Sequence, residues 1–215
     1  MDDQSLVSNE TRNRVRGLAK PIALAFGRLG LTPNALTVIG FAGTCVGAIS
    51  AANQWWLAAG ILTLLFGIFD MFDGALARAT GKASPFGAFL DSTLDRTGEN
   101  LVLAGVAYGA ASAGVPIVAG LAATAIAFAS VVTYARAKAE VVGIRGDVGI
   151  APRPERLLIL SLGLALAALP WSGNPIGGIG NGNTWLALAV ALITVLSAIT
   201  VVQRIISVRR QLADH

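Results

Sequence analysis

Apolar residues run along this chain in long blocks that are separated by short polar or glycine-containing turns. A helix that crosses a bilayer needs about 20 predominantly apolar residues, and six blocks approach or exceed that length. They lie at residues 32–52, 54–79, 86–111, 115–141, 156–170 and 184–208. Thr32 and Pro33 stand at the start of the first block, where a capping hydroxyl and a first-turn proline favour helix initiation. The pattern predicts an all-α integral membrane protein with six transmembrane helices.

The residues before the first block have a different character. Arg12, Arg14, Arg16 and Lys20 are interspersed with apolar positions. This pattern is typical of an amphipathic helix that lies in the membrane interface. We therefore predict three regions. They are an N-terminal interfacial helix at residues 1–30, a six-helix membrane domain at residues 31–210 and a short tail at residues 211–215.

Composition agrees with a membrane protein and narrows the chemistry. The chain is 54% hydrophobic and only 13% charged, and its mean hydropathy of +0.68 excludes a soluble domain. The 25 glycines are scattered through apolar blocks, which indicates close helix packing. Cys45 is the single cysteine and His215 the single histidine. A metal site in this chain would therefore use oxygen ligands.

Charged residues are distributed unequally between the two sides of the predicted bundle. The loops at residues 54–55, 109–115 and 170–184 contain no Lys, Arg, Asp or Glu, so all 16 basic residues fall on the other side. The positive-inside rule then places the charged side and both termini in the cytoplasm, in the plasma membrane of a prokaryote. The tryptophans gather at the uncharged side, as an interfacial belt does: Trp55, Trp56, Trp171 and Trp185. The net charge of +4 favours anionic membrane lipids or phosphorylated substrates as partners, and argues against nucleic acid.

Four aspartates interrupt two consecutive apolar blocks near the charged side. Asp70 and Asp73 share one helical face of the second block, and Asp91 and Asp95 share one face of the third. The connection at residues 80–85 is short, so we expect the two helices to be antiparallel neighbours with converging carboxylates.

Charges in such a position need a partner. An ionised side chain at the centre of a membrane helix costs roughly 2.5 to 3.5 kcal/mol on insertion scales. Four carboxylates supply enough oxygens for two hard divalent cations, Mg²⁺ or Mn²⁺. Gly74 and Gly87 leave room for a close approach. Arg78 adds a cation suited to a diphosphate.

The spacing of these residues resembles a known family. The string Asp70-x2-Asp73-Gly74-x2-Ala77-Arg78-x8-Gly87-x3-Asp91-x3-Asp95 is similar to the motif of the CDP-alcohol phosphotransferases. The resemblance implies a homodimer of six-helix subunits that moves a phosphatidyl group from a CDP-linked lipid to an alcohol and releases CMP.

Roles for individual residues follow from the same resemblance. Asp70, Asp73 and Asp91 would hold one metal ion, and Asp70, Asp91 and Asp95 a second. Asp95 would also be the catalytic general base. The spacing alone does not distinguish which of the four aspartates lies nearest the acceptor. The implied CDP-lipid-binding residues are Pro33, Asn34, Thr37, Gly74, Ala77, Arg78 and Gly87.

A second, basic cluster bears on the acceptor alcohol. Its members are Arg136, Lys138, Arg153, Arg156 and Arg204. An arginine deep in the last block is expected to meet an anion, so we predict that the cluster binds a phosphate on the acceptor. The alternative is that these side chains reach toward the membrane surface and only satisfy the positive-inside rule.

The sequence around this cluster resembles one branch of the family, the phosphatidylinositol phosphate synthases of the actinobacterial type. Shared elements are Tyr134 to Glu140, Arg145 to Asp147 and Arg153 to Leu157, with Arg136 at a position where the branch often has lysine. The implied substrates are CDP-diacylglycerol and inositol 1-phosphate, the latter contacted by Arg136, Arg156 and Arg204.

Two other functions are weighed against that one. Glycerol 3-phosphate also presents a phosphate, so a phosphatidylglycerol phosphate synthase is an alternative within the same reaction class. A divalent-cation transporter would also place acids among membrane helices. A transporter needs polar groups along a path to the far side, whereas the outer loops here carry no charge.

Overall fold

The computed structural model describes residues 20–144, 146, 148–150, 152–169 and 183–213. Helices and short connections account for all of these residues, and they contain no strand, so the all-α prediction is confirmed. The helices are α1 (its described part, residues 20–28), α2 (Pro33–Ala52), α3 (Trp56–Thr80), α4 (Pro85–Ser112), α5 (Pro116–Val141), α6 (Arg153–Ala167) and α7 (Asn183–Ala213). The six predicted apolar blocks coincide with α2 to α7.

Capping residues fix the helix ends next to the aspartates. Thr32 caps α2 as predicted, because its Oγ1 accepts a hydrogen bond from the Ala35 amide at 3.2 Å. Ser84 caps α4 in the same way, with its Oγ 3.0 Å from the Gly87 amide. Gly81 ends α3 in the left-handed conformation at a φ of 67°. The turn between the two aspartate-bearing helices is therefore defined at both ends.

The six long helices form a closed ring. In order around the ring they are α2, α3, α6, α7, α5 and α4, and α4 packs back onto α2. The expectation that α3 and α4 are direct neighbours is wrong: within the described residues they do not pack along their length, and α2 lies between them. The physical reason is that α2 offers small residues to both helices.

Glycines make these close contacts possible. A Cβ on Gly43 of α2 would overlap the ring of Phe66 on α3. On the other side, a Cβ on Gly105 of α4 would overlap the backbone carbonyl oxygen of Ala48 on α2. The prediction that glycines serve close helix packing is confirmed at these positions.

Four helices among the described residues, α2, α3, α5 and α7, are long and apolar enough to cross a membrane. Large apolar side chains on their outer faces are exposed, as lipid contact requires. α4 is 28 residues long, but acidic and basic residues occupy its first half. α6 has 15 residues, or about 22 Å of helix at about 1.5 Å per residue, which is shorter than a hydrocarbon core of about 30 Å.

The N-terminal prediction falls partly outside the described residues, since residues 1–19 are not among them. In α1, Ala23 is fully buried while Lys20 and Arg28 are exposed. Phe26 packs against the rings of Phe69 and Phe72, at centroid distances of 5.4 and 5.8 Å. α1 thus has one face against α3 and one basic face.

Three of the four tryptophans can be placed. Trp55 and Trp56 stand at the start of α3, and Trp56 reaches Gly109 near the end of α4. Trp185 lies in the first turn of α7. These positions are all at the uncharged end of the ring. Trp171 lies outside the described residues.

Candidate active site

The four aspartates lie on α3 and α4 as predicted, on the charged side of the ring. Asp73 is buried, with 5% of its surface exposed. The side chains of Asp70 and Asp95 are 13% and 16% exposed. Asp91 is half-buried one turn before Asp95. Carboxylates at this depth are stable only with hydrogen-bond donors or cations beside them.

Asp73 is held by groups from its own helix and from α2. The Thr37 hydroxyl donates to Asp73 Oδ2 at 2.5 Å, and the Gly74 amide donates to Oδ1. Thr37 was predicted to border the CDP-lipid. The structure gives it a contact that sequence reasoning missed, because residues 37 and 73 are far apart in the chain.

Glycines clear the space around the acids. A Cβ on Gly40 of α2 would lie 2.6 Å from Asp70 Oδ1, so this position must lack a side chain for α2 to approach Asp70. Sequence reasoning also missed Gly40, which looks like any other glycine of an apolar block. A Cβ on Gly74 would lie 3.2 Å from Arg78 Nη1, so the guanidinium folds back over Gly74.

The predicted CDP-lipid residues occupy one region between α2, α3 and α4. A Cβ on Gly87 would lie 3.1 Å from Asn34 Oδ1, which brings the start of α2 to the start of α4. Pro33 lines a cavity of about 250 Å³ between α1 and α3. Arg28 and Lys82 also line this cavity, so it has a basic rim.

Arg153, at the start of α6, joins the two aspartate-bearing helices. Its Nη2 lies 3.0 Å from Asp70 Oδ2 and its Nη1 lies 2.5 Å from Asp95 Oδ2. One guanidinium therefore binds a carboxylate from each helix. Arg153 was predicted to bind the acceptor phosphate, and the structure places it on the acids themselves.

A second ion pair lies one helical turn deeper. Arg156 donates from Nε and Nη2 to the two carboxylate oxygens of Glu99, at 2.7 and 2.9 Å. Only 2% of Arg156 and 10% of the Glu99 side chain are exposed. Glu99 was not predicted. The sequence does contain a signal for Glu99, because this residue continues the four-residue spacing of Asp91 and Asp95 along the same face of α4.

The remaining basic residues lie near the end of α5. Arg136 pairs with Glu140 at 2.9 Å on the exposed surface, and Lys138 lies 5.6 Å from the centre of the Tyr134 ring. Arg204 of α7 is 6% exposed.

Arg204 was expected to meet an anion. Its hydrogen bonds include one to the Val148 carbonyl at 2.9 Å and one to the Val132 carbonyl. Arg204 therefore ties α7 to α5 and to the connection that leads to α6.

A small cavity lies beneath the two ion pairs. It has a volume of about 20 Å³ and is lined by Glu99, Arg153, Arg156 and the apolar side chains around them. A space of this size holds about one water molecule. The space directly beneath the two ion pairs is therefore too small for a substrate.

The donor set suits a hard divalent cation, because every acidic ligand is a carboxylate. As they stand, no three acidic side chains among the described residues are grouped tightly enough to hold an ion. The Arg153 guanidinium instead lies between Asp70 and Asp95. The residue types therefore suit a divalent cation, whereas their arrangement brings the carboxylates together on a guanidinium.

Comparison with known proteins shows the family to which the chain belongs. Residues 30–206 match the CDP-alcohol phosphatidyltransferase family. The chain is 38% identical to phosphatidylinositol phosphate synthase of Mycolicibacterium smegmatis over 205 residues, covering 93% of this chain and 87% of the relative. It is 33% identical to archaetidylinositol phosphate synthase of Pyrococcus horikoshii over 210 residues, covering 95% and 97%.

Solved structures agree with the sequence relatives. Phosphatidylinositol phosphate synthase of Mycobacterium tuberculosis with CDP-DAG bound superposes with a TM-score of 0.78 at 32% identity, covering 88% of this chain and 92% of that chain. The same enzyme in complex with manganese and citrate gives a TM-score of 0.77 at 32% identity, covering 88% of each. The fold of the helices is thus shared with phosphatidylinositol phosphate synthase of Mycobacterium tuberculosis.

Proposed function

The chain belongs to the CDP-alcohol phosphatidyltransferase family and is a transferase, and from that premise we propose that it transfers the phosphatidyl group of CDP-diacylglycerol to inositol 1-phosphate with release of CMP. The bacterial relatives named phosphatidylinositol phosphate synthase support the proposal. So does the similar structure that contains CDP-DAG.

The convergence of Asp70 and Asp95 is the structural observation that carries the proposal. These residues come from different helices and bind one guanidinium at 3.0 and 2.5 Å. A pair of acids held at one point is what a metal-assisted phosphoryl transfer needs.

In this proposal Asp70, Asp73 and Asp91 hold one divalent ion, and Asp70, Asp91 and Asp95 hold a second. Mg²⁺ or Mn²⁺ suits these ligands, and one similar structure was solved with manganese. When bound, such ions neutralise charge on the diphosphate and make CMP a better leaving group.

Asp95 acts as the general base. It accepts the proton of the acceptor hydroxyl, whose oxygen then forms a bond to the lipid-side phosphorus. The bond between that phosphorus and the bridging oxygen breaks, and CMP leaves with the electron pair. Arg153 contacts Oδ2 of Asp95, and the carboxylate has further lone pairs that can accept the proton.

The CDP-lipid occupies the region where α2 and α4 begin. Asn34 and Gly87 are adjacent there, and Arg78 is the cation for the diphosphate. Pro33, Thr37, Gly74 and Ala77 complete the proposed set. Thr37 would act through Asp73, which its hydroxyl contacts at 2.5 Å.

The acceptor phosphate binds on the α5 and α6 side of the acids. Arg136 and Lys138 are exposed and have weak local partners, so both can turn toward a phosphate. Arg153, at the start of α6, supplies a further guanidinium on this side of the acids. Arg156 and Arg204 are held by protein acceptors. Arg156 is neutralised by Glu99, whereas Arg204 binds neutral carbonyls and so adds positive potential to the pocket.

In the proposed topology, six helices cross the plasma membrane of a prokaryote and α1 lies at the membrane interface. Four of the described helices already meet the length and hydropathy of a membrane span. The uncharged end then faces outward, and the active site and both termini face the cytoplasm. A homodimer completes the proposed assembly.

The test measures CMP release by the purified full chain with CDP-diacylglycerol and Mg²⁺. Inositol 1-phosphate, free inositol and glycerol 3-phosphate are offered in parallel. We expect turnover with inositol 1-phosphate alone. Turnover with glycerol 3-phosphate instead would support the proposed reaction class but show that the acceptor is glycerol 3-phosphate rather than inositol 1-phosphate.

Two variants tie the activity to the site. Asp91→Asn and Asp95→Asn keep the shape of the side chain but remove its charge, and each should lower CMP release by about a thousandfold or more, as expected for an essential base or metal ligand. Ser92→Ala on the exposed face of the same helix is the matched control and should stay near the wild-type rate. Full activity in Asp95→Asn would contradict the assignment of the base.

A further inference from the structure

Arg96 is a charged residue of α4 that the proposed mechanism does not use. It follows Asp95 directly in the chain and is half-buried. Its Nε is buried and has no hydrogen-bond partner among the described residues. No ion pair joins its guanidinium to a carboxylate in the part of the chain that the structure describes. A cation in this position needs a partner from elsewhere.

Two carboxylates near Arg96 are already bound by other arginines. Asp95 and Glu99 both interact electrostatically with Arg96. Asp95 is bound by Arg153, whose Nη1 lies 2.5 Å from its Oδ2. Glu99 is bound through both of its oxygens by Arg156. Arg96 therefore keeps a positive charge that these two acids do not neutralise, and an arginine of this kind within a membrane helix is expected to meet an anion.

The face of α4 that carries Arg96 is directed toward α5. Arg96 and Asn100 lie one turn apart on this face, and Asn100 Nδ2 donates to Ser130 Oγ of α5 at 3.2 Å. α4 and α5 pack as antiparallel neighbours across a short connection. The turn of α4 before Asn100 is therefore level with the turn of α5 after Ser130. That turn of α5 leads to Arg136 and Lys138, which are proposed to bind the acceptor phosphate.

The proposed CDP-lipid region lies on the opposite side of α4. A Cβ on Gly87 would lie 3.1 Å from Asn34 Oδ1 of α2, and a Cβ on Gly98 would lie 3.0 Å from Thr44 Cγ2 of the same helix. Residues two positions apart in a helix point in nearly opposite directions. Since Gly98 faces α2, Arg96 faces away from it. The phosphate of the acceptor, rather than the diphosphate of the CDP-lipid, is thus the anion on the side of Arg96.

From this arrangement we infer that Arg96 binds the phosphate of the acceptor alcohol, a role that rests on the proposed function. A guanidinium offers parallel N–H donors that match two phosphate oxygens. Binding at Arg96 holds the acceptor against the helix that also carries Asp95, the proposed general base. Arg96 therefore joins Arg136 and Lys138 as a residue that selects a phosphorylated acceptor over a neutral alcohol.

The experiment measures CMP release by the full chain in detergent while inositol 1-phosphate and CDP-diacylglycerol are varied in turn. Wild type is compared with Arg96→Gln, Arg96→Lys and Arg209→Gln. We expect Arg96→Gln to raise KM for inositol 1-phosphate about tenfold or more, the size expected for the loss of a hydrogen bond between charged groups. KM for CDP-diacylglycerol should stay near the wild-type value. Arg209 is exposed on α7, so Arg209→Gln controls for the loss of one positive charge.

Arg96→Lys keeps the charge and covers the case in which Arg96→Gln does not fold. Its KM for inositol 1-phosphate should still rise, by a smaller factor, because an ammonium group replaces the two-pronged donor. An unchanged KM for inositol 1-phosphate in either folded variant, or an equal rise in KM for CDP-diacylglycerol, would overturn this inference and leave the proposed function intact. If wild type releases CMP with no phosphorylated acceptor, the proposed function fails and this inference fails with it.

Discussion

The two ends of the helix ring are held together by different means. At the uncharged end, small residues let the helices approach closely: Gly105 lies against the Ala48 backbone, and Gly163 lies against the Ala189 methyl group. At the charged end, long side chains connect the helices through Arg153 and Arg156. Backbone contact leaves no room for a ligand. Arginine–carboxylate bridges connect the helices through polar side chains, which are groups that a charged ligand can also bind.

The largest expected effect removes the anchor at the charged end. Glu99→Ala leaves the buried Arg156 guanidinium without its carboxylate, and we expect a loss of about 3 to 5 kcal/mol in the free energy of unfolding. Chemical unfolding of the full chain in detergent measures it. Glu140→Ala, which removes the exposed partner of Arg136, should cost less than about 1 kcal/mol.

A double substitution sharpens this prediction. Replacing both Glu99 and Arg156 by leucine removes the buried charges together, and much of the lost stability should return. Equal losses in Glu99→Ala and Glu140→Ala would mean that buried ion pairs do not hold the charged end, and the contrast between the two ends would disappear.

The next effect concerns a single hydroxyl at the charged end. Thr37→Val removes the hydrogen bond to Asp73, and a bond to a charged group contributes about 1.5 to 3 kcal/mol. We expect CMP release to fall by about tenfold or more because Asp73 loses its orientation. Thr124→Val is the control, since that hydroxyl donates to the Gly120 carbonyl of its own helix. An unchanged rate in Thr37→Val would show that Asp73 needs no support from α2.

At the uncharged end, the expected effect comes from adding a methyl group. Gly105→Ala would push a Cβ into the Ala48 carbonyl oxygen, and overpacking of this kind costs about 1 to 3 kcal/mol of unfolding free energy. Gly120→Ala on α5 is the matched control because a Cβ there meets nothing within 4 Å. It should be neutral or stabilising by up to about 1 kcal/mol. Equal stability of the two variants would refute close backbone packing at this end.

The smallest effect on stability is expected at Arg136. Its ion pair with Glu140 is exposed, so Arg136→Gln should change the free energy of unfolding by about 0.5 kcal/mol or less. The same variant should raise KM for inositol 1-phosphate severalfold, because the proposed acceptor site loses a cation. Arg209→Gln should leave both quantities near wild type. A normal KM in Arg136→Gln would remove this residue from the acceptor site.

The helices and the positions of the aspartates along them could be predicted from the sequence. Apolar blocks predicted α2 to α7 because lipid exposure requires continuous apolar residues, and Thr32 and Pro33 predicted where α2 begins. Helical spacing placed Asp70 with Asp73 and Asp91 with Asp95. These features depend on residues close together in the chain, so one sequence is enough to recognise them.

Contacts between distant helices could not be predicted in the same way. Asp70 and Arg153 are 83 residues apart, and nothing in either local pattern indicates that they pair. The direct packing of α3 on α4 was expected from a short turn, but the small residues of α2 bring that helix between them. Arg204 was expected to meet an anion, and backbone carbonyls are among its acceptors because an irregular connection offers them beside α5.

The closed ring has a consequence for biogenesis. A ribosome delivers α3 and α4 before α6, so the aspartates exist in the nascent chain before Arg153 and Arg156 are translated. Until α6 packs against α3, these carboxylates lack the arginines that pair with them. The helix that supplies these arginines is therefore translated before α7, the helix that closes the ring, and a chain that stalls before α6 leaves buried acids without their partners.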